Sequence, residues 1–333
     1  MILLFVSLLL WQQEPESPEP QRIELLSGRL KLGGWLDGQY ANSSRSEESP
    51  RFDVRQVNVH FTAMLNESWR AVGELSFRHL PRVQGEESEG EILLDRAYIE
   101  YRWRTGMHLK FGKFNTPAGL WKPQNYSVLV DTTETPVLEA NEYIPNKSVG
   151  IGFFGRSFWG KTELNYAGHI NNGYQDNGTE VGNDDDPGWG IDINAWILER
   201  TRFGMSLFEH KAGDMEGYYR QNLVLYFEQK IWRENLSFRA ESLWRDGKPE
   251  GKLEGYYLQI KYQFHPQWYA HLRYERSDDL LEGSGEEHSV WLATLAFWPH
   301  KQVRTRLEAG EHRFEFDQER NYTAASLWMG FIF

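Results

Sequence analysis

Apolar and polar residues alternate along most of this chain with a period of two. Near its end, Ala325, Leu327, Met329, Phe331 and Phe333 occupy every second position, the repeat of a β-strand with one dry and one wet face. Val57, Val59, Phe61, Ala63 and Leu65 do the same against Asn58, His60 and Thr62. Ala97, Ile99, Tyr101 and Trp103 oppose Tyr98, Glu100 and Arg102. Leu236, Phe238, Ala240 and Trp244 oppose Ser237, Arg239 and Glu241, and Val303, Thr305, Leu307 and Ala309 oppose Arg304, Arg306 and Glu308. Charge on one face and lipid-compatible groups on the other suit a wall between hydrocarbon and water.

From Arg29 onward about sixteen such segments follow one another, joined in strict turn by two kinds of connection. The tight ones are 66–68, 104–106, 155–160, 199–202, 233–235, 265–267 and 299–302. The long, polar ones are 41–51, 81–91, 122–146, 174–187, 211–217, 246–254, 277–287 and 317–320. Strict alternation gathers the long connections at one end and both chain ends at the other. The expected fold is all-β, a transmembrane antiparallel barrel of about 16 strands over residues 22–333, with short periplasmic turns and long extracellular loops. A soluble sandwich or propeller would also alternate, but neither needs connections sorted by length. Trp69, Trp103, Trp159, Trp232, Trp268 and Trp298 lie within a few residues of tight turns. There they are expected to form a girdle at one membrane interface.

Composition narrows the classes. Among 333 residues are 14 Trp, 30 Gly and no Cys, with a formal net charge of −12 and mean hydropathy of −0.63. No run of about 18 apolar residues could cross a bilayer as a helix, while a polar average is what a water-lined barrel gives. Disulfides and thiolate-bound metals are excluded, and the acidic balance argues against nucleic acid. Residues 2–11 are apolar and precede an acidic, Pro-rich stretch. Residues 1–21 are therefore expected to be a secretory signal and linker, although no basic residue precedes the apolar run. An apolar stub is the other reading.

Residues 96–121, RAYIEYRWRTGMHLKFGKFNTPAGLW, carry Gly112, Lys113, Phe114, Pro117 and Gly119. This stretch resembles the Gly-basic-Phe-x-x-Pro-x-Gly motif of the phosphate-selective porin O and P family. Asn172-Gly173, the strand beginning Gly255-Tyr256-Tyr257, Arg273-Tyr274 running into Asp278, and the final Phe333 echo it more weakly. The resemblance implies a trimeric, water-filled pore of the Gram-negative outer membrane, set in lipid and lipopolysaccharide. Small hydrophilic solutes or ions, anions such as phosphate among them, would diffuse through it without a cofactor. Phosphate-selective members use a dense ladder of inward Arg and Lys. Here the inward parity carries Arg70, Arg78, Arg96, Arg102, Lys110, Arg239, Lys261, Arg273, Arg304 and Arg306. The same face carries Glu74, Glu100, Glu163, Glu228, Glu241, Glu275 and Glu308, so strong anion selectivity is not expected. A surface receptor or adhesion barrel with a closed lumen is the alternative.

By the same resemblance, the connection 122–146 is expected to fold into the lumen and narrow it. Its acids are Asp131, Glu134, Glu139 and Glu142, against Lys122 alone. Facing a basic wall, they would set a field across the constriction; a solvated loop outside the pore is the other reading. Neighbours on one strand face, Arg102 with Glu100, Arg239 with Glu241 and Arg306 with Glu308, are expected to pair. The outer connections are acidic, at Glu86, Glu87, Glu89, Asp176, Glu180, Asp184, Asp185, Asp186, Asp278, Asp279, Glu282, Glu286 and Glu287. Their spacing fits no EF-hand. They are expected to solvate the rim or to bridge to lipopolysaccharide through divalent ions, and no metal site is assigned. The ten His form no ligand or triad spacing, so no enzymatic activity is expected.

Overall fold

Among the described residues, seventeen strands build the computed structural model, and sixteen of them close into one antiparallel barrel. The described residues are 23–45, 49–78, 91–124, 126–140, 145–172, 187–211, 219–231, 235–246, 253–279, 286–315 and 318–333. The strands are β1 (Ile23–Leu25), β2 (Leu30–Ser43), β3 (Arg51–Met64), β4 (Trp69–Arg78), β5 (Glu91–Arg104), β6 (Met107–Asn115) and β7 (Lys147–Trp159). There follow β8 (Thr162–Asn171), β9 (Gly188–Ile197), β10 (Thr201–Lys211), β11 (Tyr219–Ile231) and β12 (Leu236–Asp246). The last are β13 (Leu253–His265), β14 (Trp268–Asp279), β15 (Glu286–His300), β16 (Val303–Phe314) and β17 (Tyr322–Ile332). From β2 onward each strand pairs with its successor, and β17 returns to β2 in a register running from Ile332↔Trp35 to Ala324↔Ser43. Closure leaves no free sheet edge in the apolar zone.

Parity acts as the sequence pattern implies. On β16 and β17, Leu307, Leu327, Met329 and Phe331 lie on the exposed outer face, while Arg306, Glu308, His312 and Trp328 are buried inside. The tight connections fall at one end of the barrel and the long ones at the other, although the third turn is shorter than expected. β7 continues to Trp159, so its turn is Gly160-Lys161 rather than 155–160. The short β1 was not foreseen. It folds back through Leu26, Ser27 and Gly28, all at positive φ, and pairs with Leu30–Leu32. Phe333 exchanges backbone hydrogen bonds with Gly34 of the same strand, so the two chain ends share one edge of β2. The expected export segment, residues 1–21, lies outside the described residues.

Gly112 holds the motif strand together. Its φ is +123° and a Cβ there would strike the Ala97 carbonyl oxygen, so only glycine fits. The register continues unbroken through it, Tyr98↔Gly112 and Ala97↔Lys113, which leaves Phe114 inward and buried.

Candidate functional site

The connection between β6 and β7 turns inward at its first residues. Gly119, at φ +67°, donates its N–H to Ser206 Oγ at 3.0 Å, and Leu120 donates to both Glu241 carboxylate oxygens at 3.3 Å. Both partners sit on the inner face of the far wall, and a Cβ on Gly119 would collide with the Glu241 carboxylate. Ala118, Leu120 and Leu138 then bury against Phe208, Val224, Tyr226, Leu243 and Tyr257. Further on, Ser127 donates to Asp37 at 2.5 Å and accepts from Gln56 at 2.6 Å. Val128 joins Trp35, Trp328 and Ile332 in a second apolar cluster.

The inner wall grips this segment by its backbone. Wall carboxylates accept N–H groups: Glu308 from Thr133 (2.8 Å) and Glu134 (2.7 Å), and Glu275 from Val137 (2.6 Å). Wall guanidinium groups donate to carbonyls: Arg306 to Ser127 (2.5 Å) and Thr132 (3.2 Å), Arg304 to Val128, and Arg273 to Glu134 (2.9 Å). Asp131 is held by Lys261 at 2.7 Å and Arg239 at 2.8 Å, with Gln259 at 3.1 Å. Inside the segment, Lys122 Nζ meets Glu139 Oε2 at 3.2 Å and donates to Asn146 Oδ1 at 2.6 Å.

These contacts correct part of the sequence reading. Arg239, Lys261, Arg273, Arg304 and Arg306 do point inward, but the segment engages them: Arg273, Arg304 and Arg306 are buried, while Arg239 and Lys261 hold Asp131 and keep part of their side chains exposed. Strand parity tells inside from outside; it cannot tell lumen water from a loop folded into the lumen. Two expected pairs fail for the same reason: Arg239 binds Glu228 and Asp131, and Arg306 binds carbonyls, leaving Glu241 and Glu308 to hold N–H groups. The Glu100–Arg102 pair is also replaced, because Arg70 and His108 each reach Glu100 at 2.9 Å.

The other basic groups of the inner face belong to β4, β5 and β6, and of these Arg96 also meets the segment, over the Tyr126 ring at 4.9 Å. Arg70, Arg78 and Arg96 have side chains 23%, 37% and 17% exposed, whereas their partners Glu100, Asp95 and Glu74 are at most 6% exposed. Those three carboxylates lie behind the cations, while Arg78 also has the exposed Glu91 at 4.0 Å. Lys110 is nearly buried under the Phe154 ring, 4.0 Å from its centroid, and Arg102 is exposed beside the turn that follows β5.

The segment's own acids differ in state. Burial by itself would push Asp131 up, but Lys261 and Arg239 hold its carboxyl well below the usual range. Burial likewise opposes the ionised form of Glu134, yet a hydrogen bond and charge from His312 lower it. For Glu139 burial prevails over Lys122 and raises the carboxyl. Tyr126, buried against Arg96 and Trp35, is raised by burial. Glu142 lies outside the described residues, as do Glu86, Glu87, Glu89, Asp176, Glu180, Asp184, Asp185, Asp186 and Glu282 of the outer connections. The expected acid-to-base field across open water is therefore replaced, for Asp131 and Glu139, by direct contact.

Five of the six interface tryptophans are described; Trp232 is not among them. Trp69, Trp103 and Trp159 are exposed on the outside, and Trp268 stacks on outward Phe297 at 4.4 Å. Trp298 is a correction. One residue beyond Phe297 it takes the opposite parity, and its ring lies inside beneath Arg304 (4.2 Å) and Lys261 (5.7 Å). Asp37 and His312 on the wall and Ser127 in the segment are site residues that alternation could not single out, since each matters only through contacts between segment and wall.

No family model matches the chain. An uncharacterised protein of Aquifex aeolicus strain VF5 is 25% identical over 159 residues, covering 47% of this chain; the chain spans about a third (35%) of that relative's length. Among solved structures, OmpF of Salmonella typhi superposes with a TM-score of 0.68 at 12% identity, over 93% of this chain and 100% of that one. An anion-selective porin from Comamonas acidovorans gives 0.67 at 10% identity, over 91% and 99%. The outer-membrane channel DcaP of Acinetobacter baumannii gives 0.61 at 13% identity, over 91% and 97%. The fold is that of the outer-membrane porin barrels of Gram-negative bacteria.

Proposed function

We propose that the protein is an outer-membrane porin admitting small hydrophilic solutes and ions by passive diffusion, with segment 122–146 as its constriction. One observation carries the reading. Behind a lipid-compatible exterior, the β4–β6 wall presents partly exposed guanidinium groups to the lumen, an arrangement that hydrocarbon or a dry core would not tolerate. With carboxylates set behind the arginines, selectivity is weak and tilted toward anions, phosphate among them. A homotrimer set in outer-membrane lipid and lipopolysaccharide accords with the resemblance of residues 96–121. Purified protein in planar bilayers tests the pore: stepwise ohmic conductance is expected, with a small anion preference from reversal potentials in a KCl gradient. Silence at high protein-to-lipid ratio would refute it. Such silence would favour the second reading, a closed surface barrel, which draws on the apolar clusters that fix the segment to both β2 and β10–β13.

A further inference from the structure

Where the long connections gather, six side chains stack in a row on the inner wall. Arg45 lies over Tyr322 at 4.1 Å, Tyr322 stacks on His312 at 4.1 Å and 7°, and His312 faces His288 at 5.4 Å. His288 stacks on Phe314 at 4.3 Å and 4°, and Arg320 covers Phe314 at 4.1 Å. The row borders a cavity of about 610 Å³ that also touches Thr133, Glu134 and Thr135. Stacking turns both imidazoles edge-on to one another. His288 Nε2 sits 3.3 Å from His312 Nδ1, and His312 Nε2 sits 3.3 Å from Glu134 Oε1. Since Glu134 belongs to the inward segment, these three residues form a bridge from barrel wall to constriction.

We propose that His288, His312 and Glu134 are a proton-operated latch: a proton taken up by the imidazole pair tightens the hold of β16 on residues 132–135, and its loss slackens it. The inference rests on the reading of this segment as the constriction. With neutral imidazoles an N–H lies between His288 and His312, and His312 Nε2 stands at contact distance from the Glu134 carboxylate without an aligned hydrogen bond. One added proton places an imidazolium opposite that carboxylate and makes the contact an ion pair, which is shorter and stronger. Histidine is the side chain that ordinarily changes charge between pH 5 and 8.

Both anions and cations face the pair. Glu134 from the segment and Glu308 from β16 are the nearby anions. Arg45 acts through the ring of Tyr322 on β17, Arg320 through the ring of Phe314, and Arg51 and Arg55 of β3 stand around the cavity. From β14, Arg273 reaches the Glu134 carbonyl and pairs with Glu275. A second proton would set two imidazolium groups side by side among these cations. Burial of Glu134 is overcome by His312, which holds the carboxyl below its ordinary value. Glu308 keeps its two backbone hydrogen bonds throughout, so the latch grades the segment's freedom instead of releasing it.

The chain has no cysteine, so Thr135→Cys gives a single spin-label site on the full-length protein in liposomes. The immobilised fraction of the label is expected to rise at least twofold between pH 8 and pH 5.5. His312→Gln should flatten that response, and His288→Gln, which alters the cavity-side partner, should do the same if the first variant folds poorly. A label at exposed Ser157→Cys should not respond. A pH-independent signal in the otherwise unaltered protein, or an unchanged response in both histidine variants, overturns the latch. Conductance recorded on the same preparations separates the two proposals: a label response without conductance removes the pore and spares the latch, whereas conductance without a label response does the reverse.

Discussion

Replacing Asp131 with asparagine removes the charge that ties the inward segment to β12 and β13. One carboxylate oxygen takes Lys261 at 2.7 Å; the other takes Arg239 at 2.8 Å and Gln259 at 3.1 Å. The amide keeps a single acceptor and turns an NH2 group toward a cationic donor. Breaking a buried ion pair from one side costs about 3–5 kcal/mol. Here water recovers some of that, because the Lys261 and Arg239 side chains are 23% and 24% exposed, and Arg239 keeps Glu228 at 3.1 Å. A net weakening of about 2–3 kcal/mol remains, and at about 1.4 kcal/mol per decade the released population rises roughly a hundredfold. In single-channel records this should appear as brief excursions to higher conductance, roughly a hundredfold more frequent than in the unaltered protein. Glu228→Gln, which touches Arg239 but not the segment, is the control. Excursion frequencies within threefold of the unaltered protein would refute the tether. The pH dependence has a definite sign. A carboxyl depressed on folding contributes stability that is present above its unfolded value, about 3.9 for Asp, and is lost only as pH falls through the lower folded value. The tether should therefore hold at pH 4.

Other residues give independent checks. Gly112→Ala places a methyl against the Ala97 carbonyl at φ +123° and should cost about 1–3 kcal/mol, read as a lower unfolding temperature on heat-shift gels; an unchanged temperature would mean the strand relaxes freely. Lys122→Met leaves Glu139 buried without its cation and should cost about 3–5 kcal/mol. Because burial already raises the Glu139 carboxyl, the ionised form is the unfavourable one, and stability is lost as pH rises through its folded value. The Lys122→Met defect should accordingly be larger at pH 8 than at pH 5 in urea titrations, and equal losses would count against it. Trp298→Ala should change conductance, since the ring lies inside over Arg304 and Lys261, while exposed Trp103→Ala should alter lipid partitioning and leave conductance alone.

The barrel was legible because two sequence signals are enforced by different physics. A one-residue slip in parity would put Leu307 in water and Arg306 in lipid, so each strand declares its faces. Tight turns need few residues, so their spacing declares the strand count. What stayed hidden lies inside. Arg273 and Arg70 have the same parity and the same charge, yet Arg273 is wholly buried beneath the segment and Arg70 stays partly exposed. Nothing along the chain states where residues 126–140 will land, because their partners on β2, β12, β14 and β16 are set by three-dimensional closure. Trp298 was misplaced for a simpler reason: its neighbour Phe297 occupies the outward position, and proximity to a turn does not override parity.

The mixed sign of the inner wall then has a physical cause unrelated to any solute. A segment crossing a barrel with only a 3-10 turn (Lys122–Gln124) and one short helix (Val137–Ala140) of its own brings unpaired N–H and C=O groups, and each must find a partner. Carboxylates at Glu241, Glu275 and Glu308 accept the former, and guanidinium groups at Arg273, Arg304 and Arg306 supply the latter. Counting wall charges therefore overstates what a passing ion meets. The field in the lumen is set chiefly by the remainder, Arg70 and Arg78 of β4, whose nearest carboxylates Glu100 and Asp95 lie recessed. Neutralising those two together should remove the anion preference while leaving the segment in place. The same treatment of Arg273, Arg304 and Arg306 should disturb the segment first and selectivity only as a consequence. Reversal potentials combined with the Thr135→Cys label distinguish the two sets, and equal effects of both sets on label mobility would show that the division of the wall is wrong.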